Sequence, residues 1–168
     1  MRDDQIIEDL LAREGPGVPP YLVPGDQGGR TAWGVSERAH PLLWVNGPPT
    51  RAQARVLYVT QYVAPFDIFA QEGLDDRIRV AVIDDAVLSG VPAAVKRLQH
   101  VLGVPMDGVI GPMTLTALHQ WYPGQLIQAY VKERAIRITR LVQRMPAEDL
   151  PFLTGWITRI LDFLPEPA

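Results

Sequence analysis

Seventeen residues, from Gly15 to Thr31, contain five glycines and four prolines. No helix or strand runs through such a stretch, because proline removes a backbone donor and glycine forfeits backbone order. The chain is therefore divided early. A first helix must stop by residue 14, and a long loop must follow it. Loops of this length inside compact domains are often functional.

Residues 2–13 carry Ile6, Ile7, Leu10 and Leu11 on one stripe at the helical period, with Asp3 or Asp4 placed to cap the first turn. After the loop, residues 31–34 read as a short strand or turn before a helix starting near Ser36. Thr50 is the N-cap expected for a helix over 51–63, with Ala54, Leu57, Tyr58 and Gln61 along one side. The mostly apolar run from Ile78 to Leu88 reads as a buried helix closed at Ser89-Gly90. Further helices are expected over 92–102, from Pro112 to about Trp121, over 125–144 and over 148–163. No stretch alternates at period two for long. The fold class is mainly α.

The chain has 168 residues, 47% of them hydrophobic and 21% charged, which suits one soluble globule. It has no cysteine, so disulfides, thiolate metal sites and a cysteine nucleophile are excluded. His40, His100 and His119 show no ligand spacing, so no metal and no cofactor are expected. A net charge of −3 argues against a nucleic-acid partner. No run approaches the ~20 apolar residues of a membrane span. The polar, acidic start, Met1-Arg2-Asp3-Asp4-Gln5, does not resemble a secretory signal, so the expected site of synthesis is the cytoplasm.

The chemistry-bearing feature is Glu14 at a helix end, followed by Tyr21 and by Asp26-Gln27-Gly28-Gly29-Arg30-Thr31-Ala32-Trp33-Gly34. Cleavage of a glycosidic bond needs an acid to protonate the leaving oxygen, and commonly a second carboxylate. Gly28 and Gly29 let the backbone turn sharply beside a polymer. Composition and spacing alone fit an exposed helix-end acid and a plain turn better than a catalytic pair. A proton donor must keep its hydrogen near neutral pH, which partial burial against an apolar wall favours. Tyr21 and Trp33 are candidates for that wall or for stacking on sugar faces, and Trp33 is equally a candidate for the core. Asp84 reads as a group behind the site or as a structural acid.

Three segments together, Glu14-Gly15 with Asp26 to Ser36, Arg79 to Gly90, and Leu98 to Thr114, resemble glycoside hydrolase family 108, the phage-type endolysins and muramidases. The third segment, with Asp107-Gly108-Val109-Ile110-Gly111-Pro112, resembles the predicted peptidoglycan-binding half of those proteins. The resemblance implies a lysozyme-like compact helical domain with a glycine-rich active-site loop. It implies a catalytic half over 1–90 and a helical peptidoglycan-binding-like half over 91–168, packed as one globule. Glu14 falls on the catalytic glutamate and is expected as general acid. Asp26 would support charge or activate water, and Thr31 would position that water. Tyr21, Gly28, Gly29, Trp33 and Asp84 are the expected substrate contacts. The implied partner is peptidoglycan, the implied reaction cleavage between N-acetylmuramic acid and N-acetylglucosamine. A monomer is expected, released through the membrane by a separate holin-type protein. The chain departs from the family pattern at Pro16, Val23, Ala32, Ile83 and Leu88. The replaced asparagines, at Ala32 and Leu88, keep open a second reading: a non-catalytic module that holds peptidoglycan in a phage particle or secretion apparatus.

Overall fold

A computed structural model describes residues 3–14, 29–145 and 150–164. The chain forms two compact units, Met1–Pro65 and Phe66–Ala168. Both are mainly helical, as the periodicity requires. No helix among the described residues is long and apolar enough to cross a membrane.

The first unit begins with α1, Asp3–Arg13, whose Ile6, Ile7, Leu10 and Leu11 are all buried. A two-stranded antiparallel hairpin follows, β1 (Thr31–Ala32) and β2 (Val35–Ser36), with Ala32 paired to Val35. The helix expected from near Ser36 does not form. The Ser36 hydroxyl accepts the Ala39 N–H at 3.1 Å and its carbonyl accepts the His40 N–H at 3.0 Å, which closes one turn. Pro41, with no N–H to give, prevents that turn from propagating and opens a 3₁₀ turn at Pro41–Trp44 instead.

Helix α2, Arg51–Tyr58, starts at a reciprocal cap. Thr50 Oγ1 accepts the Gln53 N–H at 3.3 Å, and Gln53 Oε1 accepts the Thr50 N–H at 2.8 Å. The segment beyond it, Val59–Val63, was expected to continue the α-helix but widens into a π-turn. Such turns are rare and often mark functional sites. Helix α1 packs on α2 and on this π-turn. Ion pairs Arg51–Glu8 and Arg55–Asp4 clamp α1 to α2 along their exposed flank.

The second unit holds α3 (Asp67–Gln71), α4 (Asp76–Ser89), α5 (Val91–Leu102), α6 (Pro112–His119), α7 (Pro123–Arg144) and α8 (Leu153–Leu161). Helix α4 is mostly apolar from Ile78 onward and buries residues on all its sides, Arg79, Asp84 and Asp85 among them, so it is the buried centre, packed by α5 and α7. Gly90, at φ 83°, ends α4, and Gly103, at φ 72°, ends α5 in the left-handed region that favours glycine.

Charges buried on α4 are answered by arginines from other helices. Asp84, 1% exposed, accepts from Arg134 Nη2 at 2.7 Å and from Arg159 Nε at 2.8 Å. Asp85 pairs with Arg97 and accepts the Tyr130 hydroxyl at 2.7 Å. Burial, and then the Asp85 charge, push the Tyr130 phenol well above its usual value. A separate polar knot fixes the loop after α5. The wholly buried Gln99 amide donates to Asp107 Oδ1 at 2.6 Å, to the Val109 carbonyl at 2.9 Å and to Thr114 Oγ1 at 3.1 Å, while its oxygen accepts the Gly108 N–H at 2.9 Å.

Candidate active site

The candidate site lies in the first unit, at the end of α1. Glu14 N–H donates to the Leu10 carbonyl at 3.0 Å, so its backbone still belongs to the last helical turn. The four buried apolar residues of α1 fix the helix's rotation, and Glu14 is left half-buried.

The β1–β2 hairpin sits against that glutamate. Its two-residue turn, Trp33-Gly34, has positive φ at both positions, 55° and 73°. This is the sign pattern of a type I′ turn, which matches the twist of paired strands and usually carries Asn-Gly. A tryptophan in the left-handed region costs about 1–3 kcal/mol and persists only when its surroundings hold it there. Here the Tyr58 hydroxyl, from the buried face of α2, donates to the Trp33 carbonyl at 3.1 Å. The Arg51 guanidinium lies over the Trp33 ring at 5.8 Å. At the open end of the hairpin, Arg30 and Glu37 form a two-pronged ion pair at 2.8 and 2.9 Å. Each partner shifts the other's titration: Arg30 is raised and Glu37 lowered, chiefly through that bond.

Gly34 is where the pieces meet. A Cβ built on it would lie 2.3 Å from Tyr58 Oη, 2.7 Å from Glu14 Cβ and 3.0 Å from Glu14 Cγ. Hence the Glu14 stem packs directly on the turn's backbone, with the Tyr58 hydroxyl beside it. Tyr62, four residues on in the π-turn, is half-buried with its ring centroid 5.8 Å from that of Tyr58. Its phenol is raised by burial and then by the Glu14 charge, which brings it into the same neighbourhood. The Glu14 stem, the close Gly34 backbone and two tyrosines are thus gathered at one place in the first unit.

Gly34→Ala tests this contact. Alanine would be strained at φ 73°, and its methyl would displace either the anchored Tyr58 or the Glu14 stem. We expect a loss of about 1–3 kcal/mol in stability and, if Glu14 takes part in catalysis, at least a tenfold fall in turnover, of the size that a small misplacement of a reacting group produces. Thermal melting and turnover on sacculi measure the two effects. A variant unchanged in both would show that the contact does not position Glu14.

Of the residues expected from sequence, the structure joins Glu14 to the Trp33-Gly34 turn. Thr31 stands in β1 of the same hairpin, paired with Ser36. Gly29, at φ 76°, has open space around it. Tyr21, Asp26 and Gly28 lie outside the described residues. Asp84 was expected as a sugar contact or a structural acid. Buried on α4 between two arginines, it has the surroundings of a structural tie. Tyr58 was read only as part of a helix face, and Tyr62 was not singled out. Their spacing of four at a helix end was the available signal.

The sequence matches the family model "Glycosyl hydrolase 108" over residues 7–90 and "Predicted Peptidoglycan domain" over residues 93–161. The first match thus extends past Pro65 into the second unit and ends with α4. No curated protein matches the sequence. Among solved structures the chain is similar to SagA of Brucella abortus, with a TM-score of 0.68, 24% identity, and coverage of 98% of this chain and 97% of that one. At that identity the likeness speaks for a shared fold. The two matches follow one another along the chain, a glycoside hydrolase part and then a peptidoglycan part: the chain belongs to the glycosyl hydrolase 108 family.

Proposed function

We propose that this chain is an N-acetylmuramidase, cleaving the β-1,4 bond between N-acetylmuramic acid and N-acetylglucosamine with Glu14 as general acid. The observation that carries this reading is the lodging of Glu14 at the rigid end of α1, half-buried against the Gly34 backbone and beside two tyrosines. Glu14 gives its proton to the bridging oxygen as the bond to C1 of the muramic sugar breaks. Water bonds to that C1, and its proton passes to a second carboxylate, for which Asp26 is the candidate. Thr31, on the hairpin that carries Gly34, is the candidate for holding the water. The Trp33 and Tyr62 rings are the flat apolar surfaces available to a sugar.

The end-group chemistry tests the reading. Purified sacculi are digested, reduced with borohydride and hydrolysed to their sugars. Cleavage at the proposed bond yields muramitol. Glucosaminitol would place the cut at the other glycosidic bond. An absence of new reducing ends would leave the chain as a module that holds peptidoglycan without cutting it.

A further inference from the structure

The second unit carries a face whose charge contradicts that of the whole chain. A groove of about 560 Å³ between α5 and α7 is lined by Lys96, Arg97, His100, Arg137, Arg140 and Arg144. Its acid is Glu133, which stands 3.8 Å from His100. Yet the chain as a whole bears a net charge of −3. Arg97 is already neutralised by Asp85. Lys96, Arg137, Arg140 and Arg144 make no ion pair among the described residues.

The arrangement is a helical stripe. Arg137, Arg140 and Arg144 recur at i, i+3 and i+7, one face of α7 spanning roughly 10 Å along its axis. Lys96 and His100, at i and i+4, line the facing side from α5. Partial withdrawal from water, and then the Arg97 charge, lower the Arg137 pKa. A cation so placed is stabilised by an incoming anion. Surface arginines are commonly interleaved with acids, and a run of them along a groove with no ion pair among the described residues suits an extended ligand with several negative groups.

We propose that this groove binds the peptide stems of peptidoglycan through their carboxylates. The inference rests on the reading that peptidoglycan is the substrate, and names which part of it the second unit holds. The glycan itself offers neutral hydroxyls and acetamides. The free carboxylates belong to the stems, so a cationic groove inside the residues that match the peptidoglycan domain selects stems over sugars. The stem is held by α5 and α7 without any covalent step.

The test uses the full chain carrying Glu14→Gln, and reads co-sedimentation with sacculi. Arg137→Gln, Arg140→Gln and Arg144→Gln are combined in one variant and the same three arginines changed to Lys in another. The Gln variant is expected to bind about tenfold more weakly, the loss typical of several rim charges, and the Lys variant to retain most of the affinity. Binding by the parent should fall as salt rises and should be weak on chitin, a β-1,4 glycan that carries acetamides and hydroxyls but no stems and no carboxylates. Equal binding by the Gln variant, salt-independent binding, or full binding to chitin overturns the proposal. So does tighter capture of duplex DNA or phosphatidylglycerol vesicles than of sacculi, which would assign the groove to phosphates. Reducing ends released by the Glu14→Gln protein at near the parental rate would sink the proton donor while leaving the binding result readable.

Discussion

Glu14→Gln is expected to fold as the parent does and to release reducing ends from sacculi at least about a hundredfold more slowly, the lower range for removal of a general acid. The amide has the shape of the acid but no proton to give the bridging oxygen. Its Cβ and Cγ still fill the contact with Gly34, so the hairpin keeps its seat. Thermal melting should therefore be nearly unchanged. A second signature accompanies the first. Part of the upward shift of the Tyr62 phenol comes from the Glu14 charge, so Tyr62 should titrate at lower pH in the variant, as ultraviolet titration measures. The sign is fixed, since removing a nearby negative charge makes ionising a phenol easier. Near-parental activity would end Glu14's candidacy, whatever Tyr62 did.

Asp84→Ala is expected to cost about 3–5 kcal/mol, the penalty for leaving buried charge without its counter-ion. Arg134, 3% exposed, loses its closest carboxylate and keeps only the more distant Asp85 at 3.9 Å. Arg159 loses the partner that ties α8 to the buried helix. Denaturant unfolding measures the effect. Asp84→Asn should cost less, because the amide oxygen still accepts from one arginine. Unchanged stability together with weaker sacculus binding would return Asp84 to the role of a sugar contact.

The helices were legible because their signals are local. Ile6, Ile7, Leu10 and Leu11 mark α1 by periodicity, Thr50 and Gln53 form the cap that begins α2, and Pro92 and Gly103 bracket most of α5. The mostly apolar run from Ile78 to Leu88 made α4 readable as buried for the same reason. The site was only half legible. Two-residue strands offer no alternation to detect, and Trp33 in a left-handed turn runs against its own preference. It is held by Tyr58, 25 residues away. The partners of Asp84 lie 50 and 75 positions along the chain, a pairing no short window contains. The short α3 and the π-turn escaped because neither has a residue preference strong enough to announce it. The arginines of α7 were visible as letters, but their shared face emerged only once α5 stood opposite.

The Gln99 knot bears on how the second unit's most recognisable stretch should be understood. Asp107 to Pro112 looks like a recognition motif, yet its turn is spent on its own scaffolding: the Asp107 Oδ1, the Gly108 and Val109 amides and the Val109 carbonyl are already engaged with Gln99 or within the turn. Such a stretch resists change because one buried amide dictates the path of the chain around it. Shortening that amide by a single methylene would unfasten the loop without touching any surface that meets the wall. Persistence of these letters among relatives would thus record carpentry, and the ability to grip a polymer is free to drift on the helices alongside.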